Sequence, residues 1–139
     1  MDEPDEYAVV ERLPTVEEFV VLREAAGMTS RSREGVEKGL PNSLFGVVVE
    51  HGPTGETVGM GRVVGDDGTV YQVTDMAIHP DHQGRGLGMQ VMEAILDYLD
   101  REAPSRAYVG LFADEKGFYE RFGFEETRPA STGMYRRMP

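Results

Sequence analysis

The segment Gln83-Gly84-Arg85-Gly86-Leu87-Gly88 constrains this 139-residue chain more than any other. It joins an apolar, strand-like run ending at Ile78-His79-Pro80 to an amphipathic helical pattern that begins near Gly86. Three glycines alternating with larger residues let the backbone approach a ligand closely. The N–H groups of the first helical turn that follows have no partners within the helix. Such groups, together with the positive end of the helix dipole, suit a phosphate or pyrophosphate.

Two common phosphate sites are excluded. A P-loop needs Lys followed by Ser or Thr after its last glycine, whereas Gly88 is followed by Met89 and Gln90. A dinucleotide fingerprint needs its third glycine three positions after the second, and Met89 occupies that slot.

Gln83-x-x-Gly86-x-Gly88, preceded by Ile78-x-Pro80, resembles the central motif of the GNAT superfamily of N-acetyltransferases. Downstream, Leu111-Phe112-Ala113 reads as the next strand, and Gly117-Phe118-Tyr119-Glu120-Arg121-Phe122-Gly123-Phe124 is similar to the family's Phe-Tyr-x-x-x-Gly-Phe segment. The resemblance covers about residues 57 to 139. One departure is the asparagine that many members carry shortly before the Phe-Tyr pair; the nearest polar residue here is Asp114.

Composition bounds the alternatives. A chain of 15.4 kDa with 40% hydrophobic residues suits one compact domain over residues 1–139. No run approaches the roughly 18 apolar residues of a membrane span, and Met1-Asp2-Glu3-Pro4-Asp5-Glu6 is acidic where a signal peptide is basic, so the expectation is a cytoplasmic protein without a membrane partner. With no cysteine there is no disulfide framework, no thiolate metal site and no acyl-cysteine intermediate, so acyl transfer has to be direct. A net charge of −11 opposes nucleic acid as a partner. Two lysines, Lys38 and Lys116, against twelve arginines also suit a salt-loving or GC-rich source.

Along the chain, residues 7 to 12 suit a short strand, and Thr15 with Glu18 forms a capping box for a helix carrying Phe19, Val20 and Leu22. A second short helix fits Ser32 to Leu40. Leu44 to Glu50 and Thr57 to Val64 read as a hairpin, and Gly65-Asp66-Asp67-Gly68 turns into a strand from Val70 to His79. From Leu87, the positions Val91, Met92, Ile95, Leu96 and Leu99 form one helical stripe that Pro104 ends. A strand over Tyr108 to Ala113, a short helix over Lys116 to Phe122 and a final strand over Met134 to Met138 complete the expected order β-α-α-β-β-β-α-β-α-β, a mixed α/β fold.

The resemblance implies a splayed central sheet flanked by helices, with acetyl-CoA as cosubstrate between the strands Val70 to His79 and Tyr108 to Ala113. It implies that Met76, Ala77 and Ile78 face the pantetheine, with the Met76 N–H polarising the thioester carbonyl. It also implies that Gln83, Gly84, Arg85, Gly86, Leu87 and Gly88 hold the pyrophosphate and that Tyr119 protonates the leaving thiolate. Met76 and Ile78 are equally well read as core residues of a buried strand.

The general base is less legible. Gln72 and Thr74 stand where family members that use a direct base carry Glu or His, and neither ionises. Asp75 is the nearest carboxylate, but alternation turns it to the opposite face unless a bulge intervenes, so a water chain competes with it. His51, His79 and His82 have no metal-ligand spacing. Phe19, Met28, Phe45 and Tyr135 can form an apolar wall for an acceptor, and Glu24, Glu34 and Glu50 can attract a cationic one. The expected acceptor is a primary amine on a small molecule, with protein N-terminal acetylation and a non-catalytic CoA-binding module as rivals. Either a monomer or a homodimer is compatible with the sequence.

Overall fold

The computed structural model describes residues 6–139, so the acidic Met1–Asp5 stretch lies outside the described residues. Five strands form one sheet in the order β1 (Tyr7–Val10), β2 (Phe45–His51), β3 (Glu56–Gly65), β4 (Val70–Ile78) and β5 (Tyr108–Gly110). The first four are antiparallel neighbours, and β5 joins β4 in parallel. The parallel pair requires a crossover. Helix α3 (Leu87–Glu102) supplies it and covers one face of the sheet, while α1 (Val16–Ala25) and α2 (Arg33–Gly39) cover the other. No helix among the described residues is long and apolar enough to cross a membrane.

Strand alternation builds both cores. In β2, Val47 and Val49 face α3 and Val48 faces α1, and all three are fully buried. The buried face of α3 comprises Leu87, Val91, Met92, Ile95, Tyr98 and Leu99; of the stripe expected from the sequence, Leu96 is only partly buried, and Tyr98 joins it instead. The close approach of α3 to β3 depends on Gly61. A Cβ there would sit 2.8 Å from both Met76 Sδ and Val91 Cγ1.

Helix α1 starts where its capping box lies. The Thr15 hydroxyl accepts from the Glu18 N–H at 3.1 Å, and Glu18 Oε1 accepts from the Thr15 N–H at 2.8 Å. Glu18 also takes both Arg12 Nη atoms, at 2.8 and 3.0 Å, and the Thr57 hydroxyl donates to it, which ties the helix start to β3.

Three expectations fail toward the C-terminus. The strand expected to Ala113 stops at Gly110, because the chain turns away from β4 there. The helix expected over Lys116 to Phe122 reduces to one 3₁₀ turn, Tyr119–Phe122. Gly117 at φ +87° and Gly123 at φ +88° sit in the left-handed region on either side, leaving too few residues to nucleate an α-helix. Met134 to Met138 forms no strand. With β5 only three residues long, that segment has no partner ladder, and Met134, Tyr135 and Met138 are 87%, 82% and 84% exposed. The expected final helix and strand are therefore corrected to a 3₁₀ turn and an irregular segment.

Glu18 makes the fold acid-sensitive. Its bonds to Arg12, then those to Thr57 and Thr15, lower its carboxyl from 4.5 to about 2 against an opposing desolvation effect. A lowered folded-state value adds stability above 4.5 that is lost as pH falls from 4.5 toward 2. With the side chain a quarter exposed, screening leaves about 1–2 kcal/mol of that effect at pH 7. Glu18→Gln is expected to lower stability by this amount at pH 7 and by little near pH 2. Urea titrations at the two pH values check it, and an equal loss at both would contradict it.

Candidate active site

The site begins where β4 loses its neighbour. Only Val70, Tyr71 and Gln72 pair with β5, so from Val73 to Ile78 the β4 edge facing β5 has no strand partner among the described residues. Within the same stretch β4 changes face. Arg62 pairs with Thr74 and Met60 with Ala77, so Gly61 opposes two residues, Asp75 and Met76. This is a β-bulge, with Asp75 in the left-handed region at φ +58°. Before it, Tyr71 and Val73 face α3; after it, Met76 and Ile78 face α3 and Ala77 faces α1.

The bulge decides where Asp75 points. Asp75 Oδ1 accepts from Arg23 Nη1 of α1 at 2.5 Å, and Oδ2 accepts from Arg62 Nε of β3 at 2.6 Å. Asp75 and Arg23 are buried, and Arg23 also donates to the Thr29 carbonyl while Arg62 donates to the Ser43 hydroxyl. Both guanidinium groups lie over the Phe19 ring, 5.8 and 5.6 Å from its centroid. Thr74, opposite Arg62, shares that face, so strict alternation is broken and Asp75 joins it. Both Asp75 oxygens are thus committed to guanidinium donors.

A cavity of about 550 Å³ opens along the unpaired edge of β4. Its walls include Met76, Ala77 and Ile78, the loop residues Gln83, Gly84, Gly86, Leu87 and Gly88, and Tyr119 and Arg121 from across the gap. Gly84 and Gly86 have φ of +79° and +77°, which non-glycine residues seldom adopt, and a Cβ on either would meet open space. Their identity therefore follows from backbone shape. Gly86 stands at the α3 N-cap without a side-chain capping bond, leaving the first-turn N–H groups facing the loop.

Arg85 does not line this cavity. Its guanidinium donates to the Tyr7 hydroxyl and the Asp81 carbonyl, both at 3.1 Å, and so braces the loop against β1. Gln83 donates to the Ile78 carbonyl at 3.0 Å and closes the strand end. The positive side chain on the cavity wall is Arg121, which sequence reasoning missed; its place two residues after Tyr119 was the available signal. Tyr119 is half-buried beside Phe118 and Phe124, and burial, then Asp114 and Glu115, push its hydroxyl above its ordinary value. It stays protonated at neutral pH.

A second cavity, of about 520 Å³, meets the first through Ala26, Met28, Met76, Asp114 and Tyr119 and extends toward Arg23, Arg31, Thr74, Asp75 and Arg137. Met28 is the one member of the expected apolar acceptor wall found there. Phe19 lies in the core beneath it, Phe45 stacks on Tyr98 on the α3 side, and Tyr135 is exposed. Glu24, Glu34 and Glu50 line neither cavity; Glu50 pairs with Arg12 instead.

A parallel crossover beside a separated strand pair, with a glycine loop at its mouth, is the arrangement that the resemblance to N-acetyltransferases implied, and comparison with known proteins agrees. Residues 41–126 match the acetyltransferase (GNAT) domain model. The chain belongs to the GNAT family of N-acetyltransferases. It is 36% identical over 111 residues to an uncharacterized ycf52-like N-acetyltransferase of Prochlorococcus marinus, an alignment covering 77% of this chain and 61% of that relative. Among solved structures it is similar to a protein of unknown function from meticillin-resistant Staphylococcus aureus named as a probable acetyltransferase. That match has 41% identity, a TM-score of 0.89 and coverage of 95% and 99% of the two chains. A Brucella melitensis GNAT acetyltransferase in complex with acetyl-CoA shares the fold at 20% identity and a TM-score of 0.62, covering 86% of this chain and 84% of that one.

The buried ion-pair triad yields a stability test. Asp75→Asn keeps the shape and tolerates positive φ but removes the charge between two arginines. Breaking a buried pair in this way costs about 3–5 kcal/mol. Chemical denaturation at pH 7 is expected to show a loss of that order; a change below about 1 kcal/mol would mean the triad contributes little.

Proposed function

We propose that this chain is a single N-acetyltransferase domain that moves an acetyl group from acetyl-CoA directly to a primary amine of a small molecule. The observation that carries the reading is the unpaired edge of β4 from Val73 to Ile78, which runs along one cavity toward the glycine loop and adjoins a second cavity at Tyr119. The residues present fit the donor. An extended pantetheine suits an open strand edge, and a pyrophosphate suits the Gly84–Gly88 backbone with Arg121 beside it. Acetyl-CoA supplies an activated thioester, whose C–S bond breaks as the C–N bond to the acceptor forms.

The chain's own residues have separate tasks in this reading. Met76, next to the bulge, offers its backbone N–H toward the thioester carbonyl, where negative charge develops. Tyr119, held protonated by burial and by the nearby carboxylates, donates to the departing sulfur. Asp75 positions Arg23 and Arg62, and both its oxygens are engaged by them. The amine loses its proton to water entering by the acceptor-side cavity. Arg85 holds the loop in place through Tyr7.

Acetyl-CoA at a hundredfold excess over its Kd is expected to stabilise the chain by about 2.7 kcal/mol. Gly86→Asp should abolish this shift, since a carboxylate at the N-cap repels phosphate. Tyr119→Phe should keep the shift and lower kcat by roughly 10- to 1000-fold in an assay of CoA release with small amines and peptides side by side. Unchanged affinity in a folded Gly86→Asp variant would refute the loop assignment. Equal turnover by Tyr119→Phe would refute the acid assignment.

A further inference from the structure

Positive charge gathers at the acceptor-side cavity of a chain whose net charge is −11. Arg23, Arg31 and Arg137 line it, and Arg62 reaches its edge through Asp75. The carboxylates that answer them are Asp75 and Asp114. Asp75 is already shared by Arg23 and Arg62. Arg23 Nε is buried without a hydrogen-bond partner, so that guanidinium too has donor capacity left over.

Arg31 and Arg137 differ from these two. Arg137 Nη2 reaches the Thr29 hydroxyl at 3.5 Å and its guanidinium lies 5.5 Å from the Tyr135 ring centroid, with no carboxylate bound to it among the described residues. Arg31 has no salt bridge among the described residues. Desolvation and then repulsion from Arg23, Arg137 and Arg62, against attraction from Asp75, hold its pKa below the ordinary value. The field at Arg31 is one that an added negative charge would relieve. Both arginines are exposed at the rim, and the cavity they border leads to Tyr119 and Met76.

We propose that the acceptor is an anionic amine, carrying a carboxylate or phosphate that Arg31 and Arg137 hold at the rim while its amine reaches past Thr74 toward Met76 and Tyr119. This rests on the transferase reading and narrows its substrate class. It runs opposite to the cationic acceptor that Glu24, Glu34 and Glu50 suggested from sequence. Guanidinium forks bind both anions in the same way, so the geometry favours neither. In the transfer, the amine nitrogen bonds to the acetyl carbon as the C–S bond breaks, the amine proton leaves to water, the thiolate takes a proton from Tyr119 and water returns one to the Tyr119 phenolate.

The test is CoA release from acetyl-CoA with matched pairs: glycine and glycinamide, β-alanine and its amide, phosphoethanolamine and ethanolamine, with spermidine as a cationic amine. The acid member of at least one pair is expected to show a kcat/KM about tenfold or more above its neutral counterpart, and whether a carboxylate or the phosphate pair shows it separates the two anions. Arg31→Ala should reduce that acid-to-neutral ratio by about tenfold with the acetyl-CoA KM within about twofold, and Arg31→Lys should restore part of it. Neutral amines or spermidine serving as well as the acids would overturn the proposal. If no amine is acetylated the transferase reading fails, and calorimetric titration of phosphoethanolamine and β-alanine into the CoA-saturated protein then decides the site. Binding by wild type that Arg31→Glu abolishes supports it; no binding, or equal binding by both, overturns it.

Discussion

One carboxylate between two guanidinium groups organises this molecule. Asp75 sits at a bulge with φ +58°, a backbone state that has to be held by its surroundings, and Arg23 of α1 and Arg62 of β3 hold it. The triad joins the helix layer to the sheet beneath the point where β4 and β5 separate. It also fixes which way the following residues face. Without the extra residue opposite Gly61, Met76 and Ile78 would turn toward α1 and Ala77 toward α3, and the cavity along β4 would have a different lining.

From that point the two cavities follow from ordinary packing. The chain after Gly110 departs from β4, so the sheet cannot fill the gap, and α3 is pinned to the sheet by Val91, Met92 and Ile95 on the other side of the glycine loop. Tyr119 spans the gap from a 3₁₀ turn that ends at Gly123, held by its contacts with Phe118 and Phe124. The cavity at the glycine loop is bordered by backbone N–H groups and Arg121, whereas the second is bordered by Arg23, Arg31 and Arg137 with Asp75 and Asp114. The two halves therefore differ in the source of their positive charge.

Much of this was legible in the sequence where local rules are strong. The capping box at Thr15 and Glu18, most of the stripe on α3, the hairpin of β2 and β3 and the glycine loop as the link from strand to helix each depend on neighbours a few residues apart, and each is present in the structure. The losses are non-local. Alternation warned that Asp75 would face away unless a bulge intervened, but the bulge depends on Gly61 and Arg62 across the strand, so the pairing with Arg23, 52 residues away, was invisible. Arg85 was expected beside the phosphate, and nothing in the sequence signalled that its guanidinium donates to Tyr7, 78 residues away. The Met134 to Met138 segment had strand-like composition but no ladder to join, and composition does not reveal the availability of a partner.

The central claim is that the unpaired edge of β4 is the donor's docking strand, and amide hydrogen exchange at single residues tests it most directly. On saturation with acetyl-CoA, amides between Val73 and Ile78 that face the gap, together with those of Gly86 to Met89, are expected to slow by about tenfold or more, while β1 and β2 change little. Bound acetyl-CoA that leaves β4 exchange unchanged, or that protects another edge instead, would contradict the account.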